Sequence, residues 1–230
     1  FDSKVLDDAD VKEELRLRGF ITRPVTFIDD EAIIGFNPKA IAKALGFDAS
    51  KVQQELRVIS DAEMFRRLVI FIDALVKLTR QLPKDVFLRD YGGRQAPLMT
   101  GIRHEFQFLR IFLDSRRTGV VNVERMFADR NAMQVDWVDS EDPLAVADYG
   151  EQIKRQVEEW GKTFTEEELE QPVSGFYGDV TVSHVIAMAV GHTAYHIKAR
   201  YSMASEDAGI EPPVRLPDSL FEGLPRPKDG

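Results

Sequence analysis

No cysteine occurs anywhere in the 230 residues. Its absence excludes disulfides, cysteine-ligated zinc, thiolate nucleophiles and dithiol redox chemistry within the chain, so any metal must sit on His, Asp or Glu. Positive charge is in deficit: 30 Lys and Arg face 39 Asp and Glu, a net charge of -9. No global positive field would hold a phosphate backbone, and nucleic acid is not expected as a partner. Long apolar runs are missing as well. Leu68 to Val76 is broken by Asp73, and Val185 to Val190 lies between His184 and His192. Both are far short of a membrane span, so no membrane partner is expected. No signal peptide heads the chain, which starts at Phe1 rather than Met. A natural start upstream of Phe1 and a soluble, cytoplasmic protein are the expectations. What is present is ample core material: 43% hydrophobic and 30% charged residues rule out a disordered chain and suit one large domain or two small ones.

The texture changes along the chain. Up to Gly46 the elements are short: an apolar start, an acidic helix over Asp8 to Arg18, then β-branched and aromatic runs Val25 to Ile28 and Ala32 to Ile34 around Asp29-Asp30-Glu31, which predict a hairpin. Asn37-Pro38 reads as an N-cap followed by the first residue of a helix that reaches Leu45. From Ser60 the pattern is long and helical. Ser60-Asp-Ala-Glu63 is a capping box, followed by Met64, Leu68, Phe71, Leu75 and Leu78 at helical spacing up to Leu82-Pro83. Pro97 opens a second long helix striped by Ile102, Phe106, Leu109 and Leu113 and ended by Gly119. Residues 119 to 139 read as loop. Asp142-Pro143 starts a third, through Val146, Ile153, Val157 and Trp160, with Gly161 as its stop. Thr165 caps a short acidic helix, Val173 to Val180 predicts a turn or small hairpin, and a fourth long helix runs from about Thr181 to Ser205 before a proline-rich tail. Four such striped helices match a four-helix bundle, with loop lengths that permit a crossover between the second and third.

Only four histidines occur, and three of them, His184, His192 and His196, share the fourth long helix. His192 and His196 lie about 40° apart and one turn apart in height, so both imidazoles can point at one ion. His104, on the second long helix, can supply a third ligand, leaving positions open for water or substrate. His184 is about 12 Å from His192 along the axis and is too far to join them. Neutral histidines filling a core are the competing reading, which predicts no stoichiometric metal. Thr193 follows His192, so there is no built-in glutamate base of the H-E-x-x-H kind. Glu105 lies about 100° round the helix from His104, which favours a solvated or helix-pairing role. Asp73 is read as either a partner to a histidine or part of an exposed face. The acidic run Glu166 to Glu170 is read as a helix start that favours negative charge.

Thr181-Val-Ser-His184-Val-Ile-Ala-Met-Ala-Val-Gly-His192-Thr-Ala-Tyr-His196-Ile-Lys198, with Leu98-Met-Thr-Gly-Ile-Arg-His104-Glu-Phe106, resembles the DinB superfamily of four-helix-bundle metalloproteins. The resemblance extends from about Ser60 to Gly223, including Gly175 to Asp179 and Gly209 to Pro213. It implies a divalent metal, zinc or nickel first, on His104, His192 and His196. It also implies thiol S-transferase-like or isomerase activity with low-molecular-weight thiols, a homodimer, and a cleft between the second and fourth long helices as the substrate site. Lys198-Ala199 departs from the Gly-Gln that the family often carries after the second histidine of the pair. Tyr195 is the catalytic candidate, as proton donor or substrate contact, against the alternative that it packs inside the bundle; Tyr177 is a second candidate.

Thr22-Arg-Pro24-Val-Thr-Phe-Ile-Asp29 and Ile33-Ile-Gly35-Phe36-Asn-Pro-Lys39 resemble the second half of a glutaredoxin-like thioredoxin fold. Pro24 would there be the cis-proline against the thiol site and a contact for a glutathione-like thiol. A central strand and the turn that carries that family's cysteine motif would then precede Phe1, since a hairpin without them exposes unpaired backbone edges. A plain αββα cap, or a degenerate docking unit, is the alternative.

The expected protein is thus mainly α, with a partial α/β segment over 1 to 46, a linker over 47 to 59, a four-helix bundle over 60 to 223 and a tail over 224 to 230. Its expected function is metal-dependent, with three histidines activating a small-molecule thiol or water toward an electrophile. The opposing expectation is a non-catalytic stress-response or scaffold protein with a structural metal or none.

Overall fold

A computed structural model describes residues 25–29, 31–34, 38–48, 59–91, 97–122, 140–175 and 178–224. The acidic helix expected over Asp8 to Arg18, together with Pro24, Asn37 and Tyr177, lies outside them. The described residues form seven α-helices and two small sheets.

Strands β1 (Val25–Ile28) and β2 (Glu31–Ile34) form the expected antiparallel hairpin, with Val25 opposite Ile34 and Ile28 opposite Glu31. Asp29 turns the chain at φ 50°, a left-handed conformation that Asp tolerates better than most residues. Helix α1 (Pro38–Ala44) follows and packs against both strands.

Four helices of 21 residues each dominate the rest: α2 (Asp61–Gln81), α4 (Leu98–Thr118), α5 (Pro143–Thr163) and α7 (Val182–Ser202). Their starts follow the capping chemistry in the sequence. Ser60 Oγ accepts from the Glu63 amide at 3.3 Å, Asp142 Oδ1 from the Leu144 amide at 3.0 Å, and Thr181 Oγ1 from the His184 amide at 3.3 Å. Gly119 ends α4 at φ 68°, the left-handed cap that glycine adopts without strain. The Glu63 side chain, which would complete the capping box, instead holds Arg66 and Arg67.

Helix α2 packs on α5 and α7, and α4 packs on the same two, so the four apolar stripes meet in one core. Long helices two and three, α4 and α5, are in contact; the chain crosses the core instead between α2 and α4, through short α3 (Lys84–Leu88), and between α5 and α7, through α6 (Glu166–Leu169). Within the expected loop after Gly119, Val120–Val121 forms β3, which pairs in parallel with β4 (Pro172–Gly175). Strand β5 (Gly178–Thr181) returns antiparallel to β4 as the expected small hairpin and delivers the chain to α7.

Gly161 does not stop α5, which continues to Thr163. It is a packing position: a Cβ there would sit 3.0 Å from Phe65 Cβ. Phe65 in turn meets Trp160 edge-on with ring centres 5.4 Å apart. The acidic run does more than start α6. Glu168 Oε1 accepts from Trp160 Nε1 at 3.0 Å and pairs with Arg116 at 2.6 Å, tying α6, α5 and α4 together. Asp73 lies on α2 in ion pairs with Lys77 and Lys154 at 2.7 and 2.9 Å and is no partner to a histidine. Helix α7 ends in a π-helical turn (Met203–Asp207), and no helix among the described residues is long and apolar enough to cross a membrane.

Candidate metal centre

Helix α4 carries His104 and α7 carries His192 and His196, and the contact between these helices brings the three rings together. One nitrogen from each lies within 4.8 Å of the others. Ring centres are 5.5 Å apart for His104 and His192, 5.1 Å for His104 and His196, and 4.3 Å for His192 and His196. The one-turn spacing on α7 and the third ring across the interface thus converge as the sequence spacing predicts. His184 is not in the cluster.

Glu105 takes neither the solvated role nor the pairing along its own helix that was expected. It is fully buried at 0% exposure, and its Oε2 lies 3.4 Å from His192 Nε2. Its Oε1 accepts a 2.6 Å hydrogen bond from Thr193 Oγ1, which also donates to the Ala189 carbonyl. The reason is the width of the interface. Helix α7 lies along the groove between positions 104 and 105, so neighbours about 100° apart on α4 both face it. The adjacent pair His192 and Thr193 meets them from the other side. The Thr that follows His192 and the Glu that follows His104 were the signal available in the sequence, and helical-wheel reasoning on one helix at a time hides it.

Burial sets the protonation of the site. Desolvation lowers the pKa of His192 well below the ordinary value, with the neighbouring His196 and His104 adding to the effect. Desolvation, then His104 and Arg200, bring His196 down to about 4. His104 is lowered by desolvation and by the Arg200 charge. All three are therefore neutral near pH 7, which leaves lone pairs free for a cation. Desolvation raises Glu105 to about 8, against the opposing pull of the Thr193 hydrogen bond and Arg200.

Glu105 Oε2, His192 Nε2 and His196 Nδ1 are buried without a hydrogen bond. Unsatisfied buried polar atoms of this kind are costly, and a divalent cation would satisfy those that present a lone pair to it. The donor set of three imidazoles with a nearby carboxylate, and no thiolate, fits zinc or nickel. Each of the three histidines keeps part of its side chain at the surface, while His192 Nε2 and His196 Nδ1 are themselves buried. Phe108 stacks on His192 at 3.9 Å between ring centres and limits the ring's rotation.

Tyr195 is not packed inside the helices: it is 56% exposed and stands edge-on to His196, with ring centres 5.3 Å apart. A cleft of about 440 Å³ is lined by Lys198, Tyr201, Pro212, Arg215 and Phe221. It lies on a different face of α7 from the histidines and is not the expected cleft between the second and fourth long helices. No protein-family model matches the chain, and no curated protein matches it significantly.

Proposed function

We propose that the chain is a metal-dependent enzyme built on a DinB-type four-helix bundle. In this reading His104, His192 and His196 hold one divalent ion, zinc or nickel, and the reaction joins a low-molecular-weight thiol, glutathione-like in character, to an electrophile. The observation that carries the reading is the convergence of three neutral imidazoles on one point, with polar atoms buried there that lack hydrogen-bond partners. The ring of contacts among α2, α5, α4 and α7 supports the bundle.

When bound, such an ion supplies Lewis acidity that lowers the pKa of a thiol or water. The chain's own residues set the stage for that chemistry. Burial keeps the histidines unprotonated, Thr193 fixes the Glu105 carboxyl, and Glu105 and Phe108 hold the His192 ring from two directions. Tyr195 stands at the exposed rim beside His196, where it can contact an incoming molecule. Each of the three histidines keeps part of its side chain at the surface, which supports the catalytic reading.

The test is a titration of the protein with Co²⁺, followed by visible absorption, then addition of a thiol and the electrophile monochlorobimane. In the transfer, a sulfur–carbon bond forms, chloride leaves and the thiol proton passes to solvent. The reading predicts a one-to-one cobalt spectrum that changes on thiol addition, and conjugate formation above the uncatalysed rate. A stoichiometric cobalt spectrum insensitive to thiols, with no conjugate above background, would contradict it.

A further inference from the structure

His192 and His196 continue into Arg200 at the same four-residue spacing, so the three form one stripe about two turns long on α7. Across the interface the matching position on α4 is Gly101, one turn before His104. A Cβ at 101 would lie 2.3 Å from Arg200 Cζ, 2.4 Å from Nη1 and 2.6 Å from Nε. The missing side chain is therefore what lets the guanidinium lie flat on the α4 backbone, one turn from His196 and His104.

That guanidinium lacks the partners its burial calls for. Its Nε is buried without a hydrogen bond, and its Nη1 reaches only Met203 Sδ at 3.6 Å. No carboxylate among the described residues pairs with it, and Glu105 turns to Thr193 and His192 instead. Its charge still reaches the site, since it acts on both His104 and His196. An unpaired, partly desolvated guanidinium is expensive, and its planar fork matches a carboxylate in two parallel hydrogen bonds.

We propose that Arg200 is the anion-receiving end of the histidine site, so that the ligand is a short molecule carrying a carboxylate, with a thiol at its other end. The proposal rests on the metal reading for the thiol end, while the carboxylate end stands on Arg200 and Gly101 alone. Charge agrees: a divalent ion with neutral histidines and the Arg200 cation leaves an excess of positive charge for an anionic ligand to offset.

The experiment follows the Arg200 Nε–H resonance by ¹⁵N NMR during titration with 3-mercaptopropionate and, separately, with its methyl ester. Both are run with and without one equivalent of Zn²⁺, with the imidazole signals of His104, His192 and His196 reporting metal binding. The ester keeps the thiol and removes only the charge. The expected result is a saturable shift of the Arg200 signal with the acid, no such shift with the ester, and at least a tenfold preference for the acid in zinc-loaded protein. Arg200→Met should abolish the preference while binding zinc at least as tightly, and Arg200→Lys should keep part of it. Equal affinity for acid and ester, or an Arg200 signal that moves with neither, would overturn the proposal. If the imidazole signals ignore zinc, the metal reading fails by itself; the metal-free titration then decides the carboxylate site, with a saturable acid-specific shift supporting it and none overturning it.

Discussion

Thr193 Oγ1 donates to Glu105 Oε1 at 2.6 Å from the facing helix, and this bond aims the other carboxylate oxygen at His192. A residue adjacent to one candidate ligand thereby fixes a residue adjacent to another. Thr193→Val keeps the shape and removes the donor. The buried carboxyl then loses its hydrogen bond, at a cost of about 1–3 kcal/mol in stability, and metal affinity should fall by roughly 10–100-fold. Urea denaturation and competition for zinc against a chromophoric chelator measure the two effects.

The metal-free protein should show a specific pH signature. Folded, Glu105 keeps its proton up to about 8, against an ordinary value of 4.5 in the unfolded chain. Between those limits the folded state binds the extra proton, so this residue's contribution to stability declines as pH rises and is lost above the upper limit. The histidines act in the opposite sense. His196 titrates at about 4 when folded and 6.5 when unfolded, and His104 and His192 are displaced in the same direction. Their contribution is present above the unfolded value and is lost as pH falls through the folded one. Glu105→Gln mimics the protonated acid, so its stability relative to wild type should climb across the Glu105 window. Melting temperatures of both proteins from pH 4 to 9 check this, and parallel curves would refute the assignment.

Gly150 is required by contact rather than by backbone conformation. A Cβ at 150 would meet Phe106 Cζ at 2.3 Å, inside the core. Gly150→Ala should cost about 1–3 kcal/mol, since the ring sits in a fully packed environment. The same change at an exposed helical glycine would stabilise by a few tenths to about 1 kcal/mol. Chemical denaturation of the variant gives the sign directly.

Glu168→Ala removes the acceptor for Trp160 Nε1 and the partner of Arg116. The buried indole N–H then goes unpaired, with an expected loss of about 1–3 kcal/mol. The Trp160 emission should also shift as its ring environment changes, which steady-state fluorescence records.

Much of this was legible in the sequence because it is local chemistry. Ser60, Asp142 and Thr165 cap the helices they were expected to cap, and Gly119 ends α4. The histidine cluster was legible because one helical turn fixes the relation of His192 to His196, and a single remaining histidine lay on a neighbouring helix. What escaped depends on which helices meet. Glu105 was misread because its orientation was judged against its own helix alone, and Gly161 because a glycine near a helix end resembles a stop signal while the contact with Phe65 is long-range. The alternative of Tyr195 packing inside the bundle fails because position 195 falls on the outer face of α7. The contact of α4 with α5 likewise follows from helix packing and not from loop length.

The central claim is a stoichiometric ion on His104, His192 and His196, and elemental analysis tests it most directly. Wild type, His192→Ala and His196→Ala would be purified without a metal-affinity column, supplied with zinc or nickel, and freed of excess by gel filtration. The account predicts about one equivalent in wild type and little in either variant. Wild type that retains no metal, or variants that retain as much as wild type, would contradict it.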